Sequence, residues 1–236
     1  MKRKPTIYFA AGLFNARERR FNLHLANQLE NRGYAVRLPQ RDGFLMMKFR
    51  EALMNLGLDE RSADRSSRAV IYIMDLGRDL RMSDVILANL DEPIDEGVVV
   101  EQCFAKMMGK KSVGYRTDVR SPYGGMQDLF GGMHCFPGFI CDSFIDAPSS
   151  GRDLADAGAL SELSDLIERG IFMARPIHFG KTDYSMACVR QVCRNANLLL
   201  RGIKDIHSKA GIKDIANRYL ENLDRMYYMF PKEISA

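Results

Sequence analysis

DVILANLDEPIDEGVVVEQCFAKMMGKKSVGYR, residues 84–116, is the stretch that decides the fold. Val85 to Leu90 is an unbroken apolar run of strand length. Asp91, Pro93, Asp95 and Gly97 then punctuate a loop, Val98 to Met108 carries helical spacing, and Ser112 to Arg116 is again apolar enough for a strand. Strand, loop, helix, strand is a crossover unit, and strands joined through a helix lie parallel. Upstream, Thr6 to Ala10 reads as a strand, Ala16 to Asn31 as a helix stopped by Gly33, and Tyr34 to Leu38 as a strand. Phe44 to Leu58 and Ser62 to Arg81 carry helical periodicity, with Arg68, Asp75, Arg78 and Asp79 on a polar face. A fifth strand falls at Gly138 to Cys141 or at Ile171 to Ala174. This order predicts a parallel sheet with helices on both faces and a ligand site at the C-terminal ends of the strands.

Within that frame Asp95 and Glu101 stand six residues apart across a loop-to-helix junction. Glu101 is expected in or near the first helical turn, where the helix dipole favours an ionised carboxylate. Two carboxylates in one cleft suit glycosyl transfer, in which one attacks the anomeric carbon and another manages the proton of the leaving group. Tyr8, Gln40, Asp91, Asp95 and Glu101 are expected in or just beyond strand C-termini, whereas Asp84 begins a strand.

Composition bounds the alternatives. At 236 residues, 46% hydrophobic and 27% charged, the chain has the make-up of a soluble globule built around one good core. A net charge of +4 attracts anionic nucleotides, but Lys and Arg are scattered, so no nucleic-acid surface is indicated. The MKRK start precedes only a short apolar run, Ile7 to Phe14, so neither export nor a membrane span is expected, and the location is read as cytoplasmic. Cys103, Cys135, Cys141, Cys188 and Cys193 contain no C-x-x-C pair and are read as reduced thiols, with no metal site. Residues 146–156 read as a surface loop. Beyond them lie a short helix, Leu160 to Arg169, and long helical patterns from Asp183 to Lys209 and from Ile212 to Met229, broken at Gly211. Their apolar stripes (Met186, Val189, Val192, Ala196, Leu199; Ile215, Tyr219, Leu223, Met226) require burial on their own domain or at a subunit interface.

Four blocks then stand in a telling order: TIYFAAGLFNARERRFNLHLANQLENRGYAVRLPQRDG at 6–43, SDVILANLD at 83–91, DEGVVVEQCFAKMMGKK at 95–111 and SVGYRTDVR at 112–120. In that order and at those gaps the chain resembles the nucleoside 2-deoxyribosyltransferase family. The resemblance implies a doubly wound, flavodoxin-like α/β fold with a five-stranded parallel sheet flanked by helices. The α/β core would span residues 1–145 and a helical C-terminal extension residues 146–236.

It also implies roles. Glu101 matches the nucleophile that takes the deoxyribosyl group, and Tyr8 the tyrosine that orients it. Asp95 and Asp84 match the aspartates that contact base and sugar, one of them holding a proton for the departing base. Gln40 matches a glutamine that reads the base edge, Gly12 lets the backbone approach the ligand, and Asp91 lies among the substrate contacts. Thr117, Asp118 and Arg120 are read as a structural or interface salt-bridge group and not as catalytic residues. His134 and Phe136 stand near the position where shorter members receive an Asn-x-Met element from a neighbouring subunit.

The implied reaction is a retaining double displacement that exchanges the base of 2′-deoxynucleosides for a free purine or pyrimidine. It needs no metal or organic cofactor and takes place in a homo-oligomer. Two alternatives stand beside it. One is a nucleotide N-glycosidase that uses water as acceptor, with Ser185 and Arg190 gripping a phosphate. The other is a non-catalytic nucleotide-sensing module.

Overall fold

The computed structural model of the chain describes residues 3–125, 128–148, 157–176 and 183–227. Strands β1 (Thr6–Ala10), β2 (Ala35–Arg37), β3 (Val85–Asn89), β4 (Lys111–Arg116) and β5 (Ser143–Asp146) form one sheet in the order β2-β1-β3-β4-β5. Every neighbouring pair is parallel. This is the flavodoxin-like doubly wound order. From β1 the chain moves outward to β2, then crosses back over β1 to β3, and that reversal opens a crevice at the C-terminal ends of β1 and β3.

The helices are α1 (Ala16–Asn31), α2 (Pro39–Asp42), α3 (Met46–Asn55), α4 (Glu60–Met74), α5 (Glu96–Met107), α6 (Cys135–Ile140), α7 (Ala157–Met173), α8 (Asp183–Leu200), α9 (Lys209–Glu221) and α10 (Leu223–Tyr227). A π-helical segment, Asp75–Leu80, continues α4. Local chemistry explains why α1 starts where it does. Asn15 accepts from the Glu18 amide at 2.9 Å, while Glu18 Oε2 accepts from the amides of Phe14 at 2.9 Å and Asn15 at 3.4 Å. This capping box satisfies amides that the helix itself leaves unpaired, and such a cap stabilises a helix by about 1 kcal/mol.

Side chains alternate across a strand, so β1 sends Ile7 and Phe9 to one face and Tyr8 to the other. The first face packs Ile7, Phe9, Leu87, Val113 and Tyr115 against Leu25 and Leu29 of α1 and Leu163 and Ile167 of α7. On the second face α5 packs on β3 and β4.

The chain forms two compact units, Met1–Asp42 with Asp79–Met186, and Gly43–Arg78 with Ala187–Ala236. The first holds the sheet. The second buries Phe49 and Leu53 of α3 and Ile73 of α4 with Ala196 and Leu199 of α8 and Ile215 and Tyr219 of α9. Gly77 belongs to this packing, because a Cβ there would stand 2.6 Å from the carbonyl oxygen of Val192.

Several expectations change. The division does not fall at residue 145: α7 covers the sheet, and residues 43–78 join the C-terminal helices instead. The stripe residues Ala196, Leu199, Ile215, Tyr219 and Met226 are buried within that second unit. The fifth strand is neither of the two expected segments but Ser143–Asp146, which follows α6 directly and is too short to show a period. Periodicity over Ser62 to Arg81 hides the change from α-helix to π-helix at Asp75. Gly211 does not break the last helices; it lies in the first turn of α9, its amide donating to Ser208 Oγ at 3.0 Å, and the break lies between α8 and α9. None of the described helices is long and apolar enough to cross a membrane.

Candidate active site

The crevice side of the sheet is furnished from β1, the β3 to α5 loop and α5. Tyr8 is 1% exposed, which fixes its ring, and its hydroxyl donates to Glu101 Oε1 at 2.6 Å. Sequence separation between the two is 93 residues, and only the β1–β3 pairing (Tyr8 beside Ile86) followed by α5 brings them together. A hydrogen bond to one carboxylate oxygen favours the charged form and sets the direction of the other oxygen.

Asp95 is the N-cap of α5, accepting from the Val98 amide at 3.1 Å. A Cβ at Gly97 would stand 2.8 Å from the capping oxygen, so a larger residue there would push the Asp95 carboxylate aside. The helix therefore begins at Glu96, and Glu101 is its sixth residue. At 3.6 residues per turn this is the second turn, not the first, so the dipole contributes less than the spacing suggested and Tyr8 is the specific partner.

Asp91 stands at the same end of the sheet, but its carboxylate is committed to the neighbouring loop. It accepts from the Thr117 amide at 2.6 Å, the Thr117 hydroxyl at 2.9 Å and the Asp118 amide at 2.8 Å. Asp118 answers by accepting from the Glu92 amide at 3.0 Å and from Arg120 Nε at 2.8 Å. The two aspartates thus clamp the loops after β3 and β4 to each other, which places Asp95 and the start of α5. Burial opposes the charge of Asp118, yet the hydrogen bonds from Arg120 and the Glu92 amide and the charge of Arg120 win, and its carboxyl is held below the ordinary carboxylate range.

Gln40 lies on α2, donating from Nε2 to the Arg19 carbonyl at 2.7 Å and accepting from Asn22 Nδ2 at 3.1 Å. The same Asn22 nitrogen donates to the Gly12 carbonyl at 2.9 Å. Asn22, 1% exposed, thereby ties the loop after β1 to α2. Its signal was a lone amide on the apolar face of α1, beside Leu25, Ala26 and Leu29.

Asp84 is not brought to this crevice. Its amide donates to the Thr6 carbonyl at 2.8 Å, its carboxylate accepts from the Thr6 amide at 2.7 Å, and Arg3 lies 3.5 Å away. These contacts pin the N-terminal edges of β1 and β3. At ~3.3 Å per residue, the length of β3 puts Asp84 roughly 17 Å from the far end of that strand.

His134 caps α6, its Nδ1 accepting from the Phe136 amide at 3.3 Å. Its ring meets Tyr123 at 5.0 Å and Phe136 at 4.8 Å, edge to face, and Phe136 is 71% exposed. Of the pair read as a phosphate grip, Arg190 is exposed on α8, and the Ser185 side chain lies outside the described residues.

Two arginines, one buried and one half-buried, escaped the sequence reading. Arg116, at the end of β4, is fully buried and donates to the carbonyls of Gly131 and Phe130, shaping the loop before α6. Arg37 ends β2 beside Tyr8 in register and donates to Asp79 Oδ1 at 3.1 Å. Either was legible as a basic residue closing an apolar strand. Among the described residues no group of three or more His, Cys, Asp or Glu side chains is arranged to hold a metal ion.

No curated protein matches the chain. Among solved structures, the CMP N-glycosidase BcmB of Clostridium botulinum is similar over 69% of this chain and 98% of its own, at 15% identity and a TM-score of 0.38. The family model described as nucleoside 2-deoxyribosyltransferase matches residues 7–163, a span that contains β1 to β5 and the Tyr8–Glu101 pair. On that match the chain belongs to the nucleoside 2-deoxyribosyltransferase family.

Proposed function

We propose that the protein exchanges the base of 2′-deoxynucleosides through a covalent deoxyribosyl-glutamate. The observation that carries this reading is the 2.6 Å hydrogen bond from Tyr8 to Glu101 Oε1 at the switch point of the sheet. A carboxylate held by a buried phenol is oriented, which is what a nucleophile at an anomeric carbon requires. One oxygen of Glu101 bonds to C1′ as the C1′–N bond breaks and its electron pair leaves with the base. A second base then attacks C1′ from the vacated side, and the carboxylate departs. Two inversions give net retention.

In this reading Asp95, with one oxygen capping α5, offers its other oxygen to the sugar or to the base proton. Gln40 stands at the base end. Asp84 has no part, because it lies at the opposite edge of the sheet. The reading takes a sugar without a 2′-hydroxyl as substrate, because a hydroxyl beside the buried Tyr8 would need both space and a partner. Tyr123, Leu129, Phe136 and Phe139, each at least 65% exposed, support a homo-oligomeric assembly that covers them. Light scattering reads that assembly directly.

Chromatography of the protein with thymidine and adenine tests the chemistry. Deoxyadenosine supports transfer. Free thymine without deoxyadenosine identifies water as the acceptor, and unchanged thymidine rejects the reading.

A further inference from the structure

Arg37 has no role in the reaction as written above, yet it stands next to its centre. In the sheet register Arg37 pairs with Tyr8, and paired residues of neighbouring parallel strands project from the same face, about 4.8 Å apart. Its Nη1 donates to Asp79 Oδ1 at 3.1 Å, and that carboxylate is only 6% exposed. A guanidinium has five N–H donors in one plane. The bond to Asp79 uses one and fixes the plane, Nε is buried without an acceptor, and the side chain as a whole is 29% exposed. Arg37 is thus a cation oriented from behind, with donors in reserve, on the face that carries Tyr8.

The direction of the displacement says what such a cation meets. Glu101 projects from α5, which packs over β3 and β4, and Tyr8 receives it over β1. Attack at C1′ is in line, so the departing nitrogen lies across the anomeric carbon from Glu101. The side away from α5 is the β2 edge, where Arg37 stands beside Tyr8.

We infer that Arg37 binds the leaving base, donating to the acceptor next to its glycosidic nitrogen, pyrimidine O2 or purine N3, and stabilising the negative charge that builds there as the bond breaks. The inference rests on the deoxyribosyl-transfer reading of the site. In the step, the Glu101 oxygen forms the bond to C1′, the C1′–N pair passes to the base, and the base leaves as an anion hydrogen-bonded to Arg37. The guanidinium keeps its protons throughout, and the base anion takes its proton from water or from the next acid it meets. Donors already aimed at developing charge need no reorganisation when it appears.

The test is a leaving-group series: thymidine, 2′-deoxyuridine, 5-fluoro-2′-deoxyuridine and 5-nitro-2′-deoxyuridine, in order of increasingly stable base anions, with wild type and Arg37→Met. A residue that stabilises the base anion matters most for the worst leaving group. The expected loss in kcat is about 100-fold or more with thymidine, shrinking to under about 10-fold with the 5-nitro compound. A loss equal across the series, or below about 3-fold throughout, overturns the role of Arg37. A wild-type enzyme that releases no base from any of the four overturns the transfer reading itself. Because Arg37→Met leaves Asp79 as a buried charge without this partner, Arg37→Met with Asp79→Asn carries the same comparison where the single variant does not fold.

Discussion

The hydroxyl of Tyr8, in the middle of β1, donates at 2.6 Å to Glu101 Oε1 in the second turn of α5, across 93 residues of sequence. This bond joins the parallel β1–β3 pair at the switch point to a carboxylate on the helix that follows β3. A buried phenol cannot drift, so neither can the carboxylate it holds.

If Glu101 is the nucleophile, Glu101→Ala abolishes base exchange. The helix itself keeps its cap at Asp95 and its apolar face, so circular dichroism and the thermal midpoint should change little. Turnover within roughly tenfold of wild type excludes the assignment.

Tyr8→Phe separates orientation from packing. Phenylalanine fills the same buried volume, so folding is retained, while the lost hydrogen bond lowers kcat by on the order of 10–100-fold with KM much less affected. An unchanged kcat in steady-state assays makes Tyr8 a packing residue only.

Asp91→Ala strips the acceptor from the Thr117 amide, the Thr117 hydroxyl and the Asp118 amide together. Donors left unsatisfied in a half-buried loop are costly, and a destabilisation of ~2–4 kcal/mol is expected by urea unfolding. Native stability in this variant would show that the clamp between the two loops is dispensable.

Asp84→Asn distinguishes position in the fold from position in the alignment. Asparagine can still accept from the Thr6 amide, and the residue lies at the far edge of the sheet, so kcat/KM should stay within about 3-fold of wild type. A drop of a hundredfold would return Asp84 to the chemistry.

Acid should weaken the sheet unit through Glu168. The hydrogen bond from Lys4 first, and that from Tyr34 next, outweigh desolvation and hold its carboxyl below its ordinary value of 4.5. A carboxylate whose folded value is depressed lends stability above its unfolded value, and that stability is lost as pH falls through the folded one. Glu168→Gln should therefore flatten the acid limb of a thermal-midpoint profile below about pH 4.5 while leaving the neutral limb shifted by a constant. The effect is small, because Glu168 is over a third exposed and water screens the pair. Superimposable acid limbs would place the pH dependence elsewhere.

What the sequence by itself determined is local and periodic. The apolar run Val85 to Leu90, the breakers Asp91, Pro93 and Gly97 and the helical spacing that follows were enough for a parallel crossover unit, because strand and helix periods are properties of neighbouring residues. The same short-range logic made Asp95 and Glu101 visible as a pair. What only the tertiary structure decided is which end of the sheet a residue occupies and who faces it. Asp84 and Asp91 stand seven residues apart at the two ends of the same strand, yet one pins the bottom edge and the other clamps the top loops, since a parallel sheet puts all C-termini together. Arg37 gained a neighbour in Tyr8 only through strand register, which no local pattern encodes. The helical segment 43–78 joined the C-terminal helices for a like reason: an apolar stripe states that a face must be buried, and only packing chooses against what.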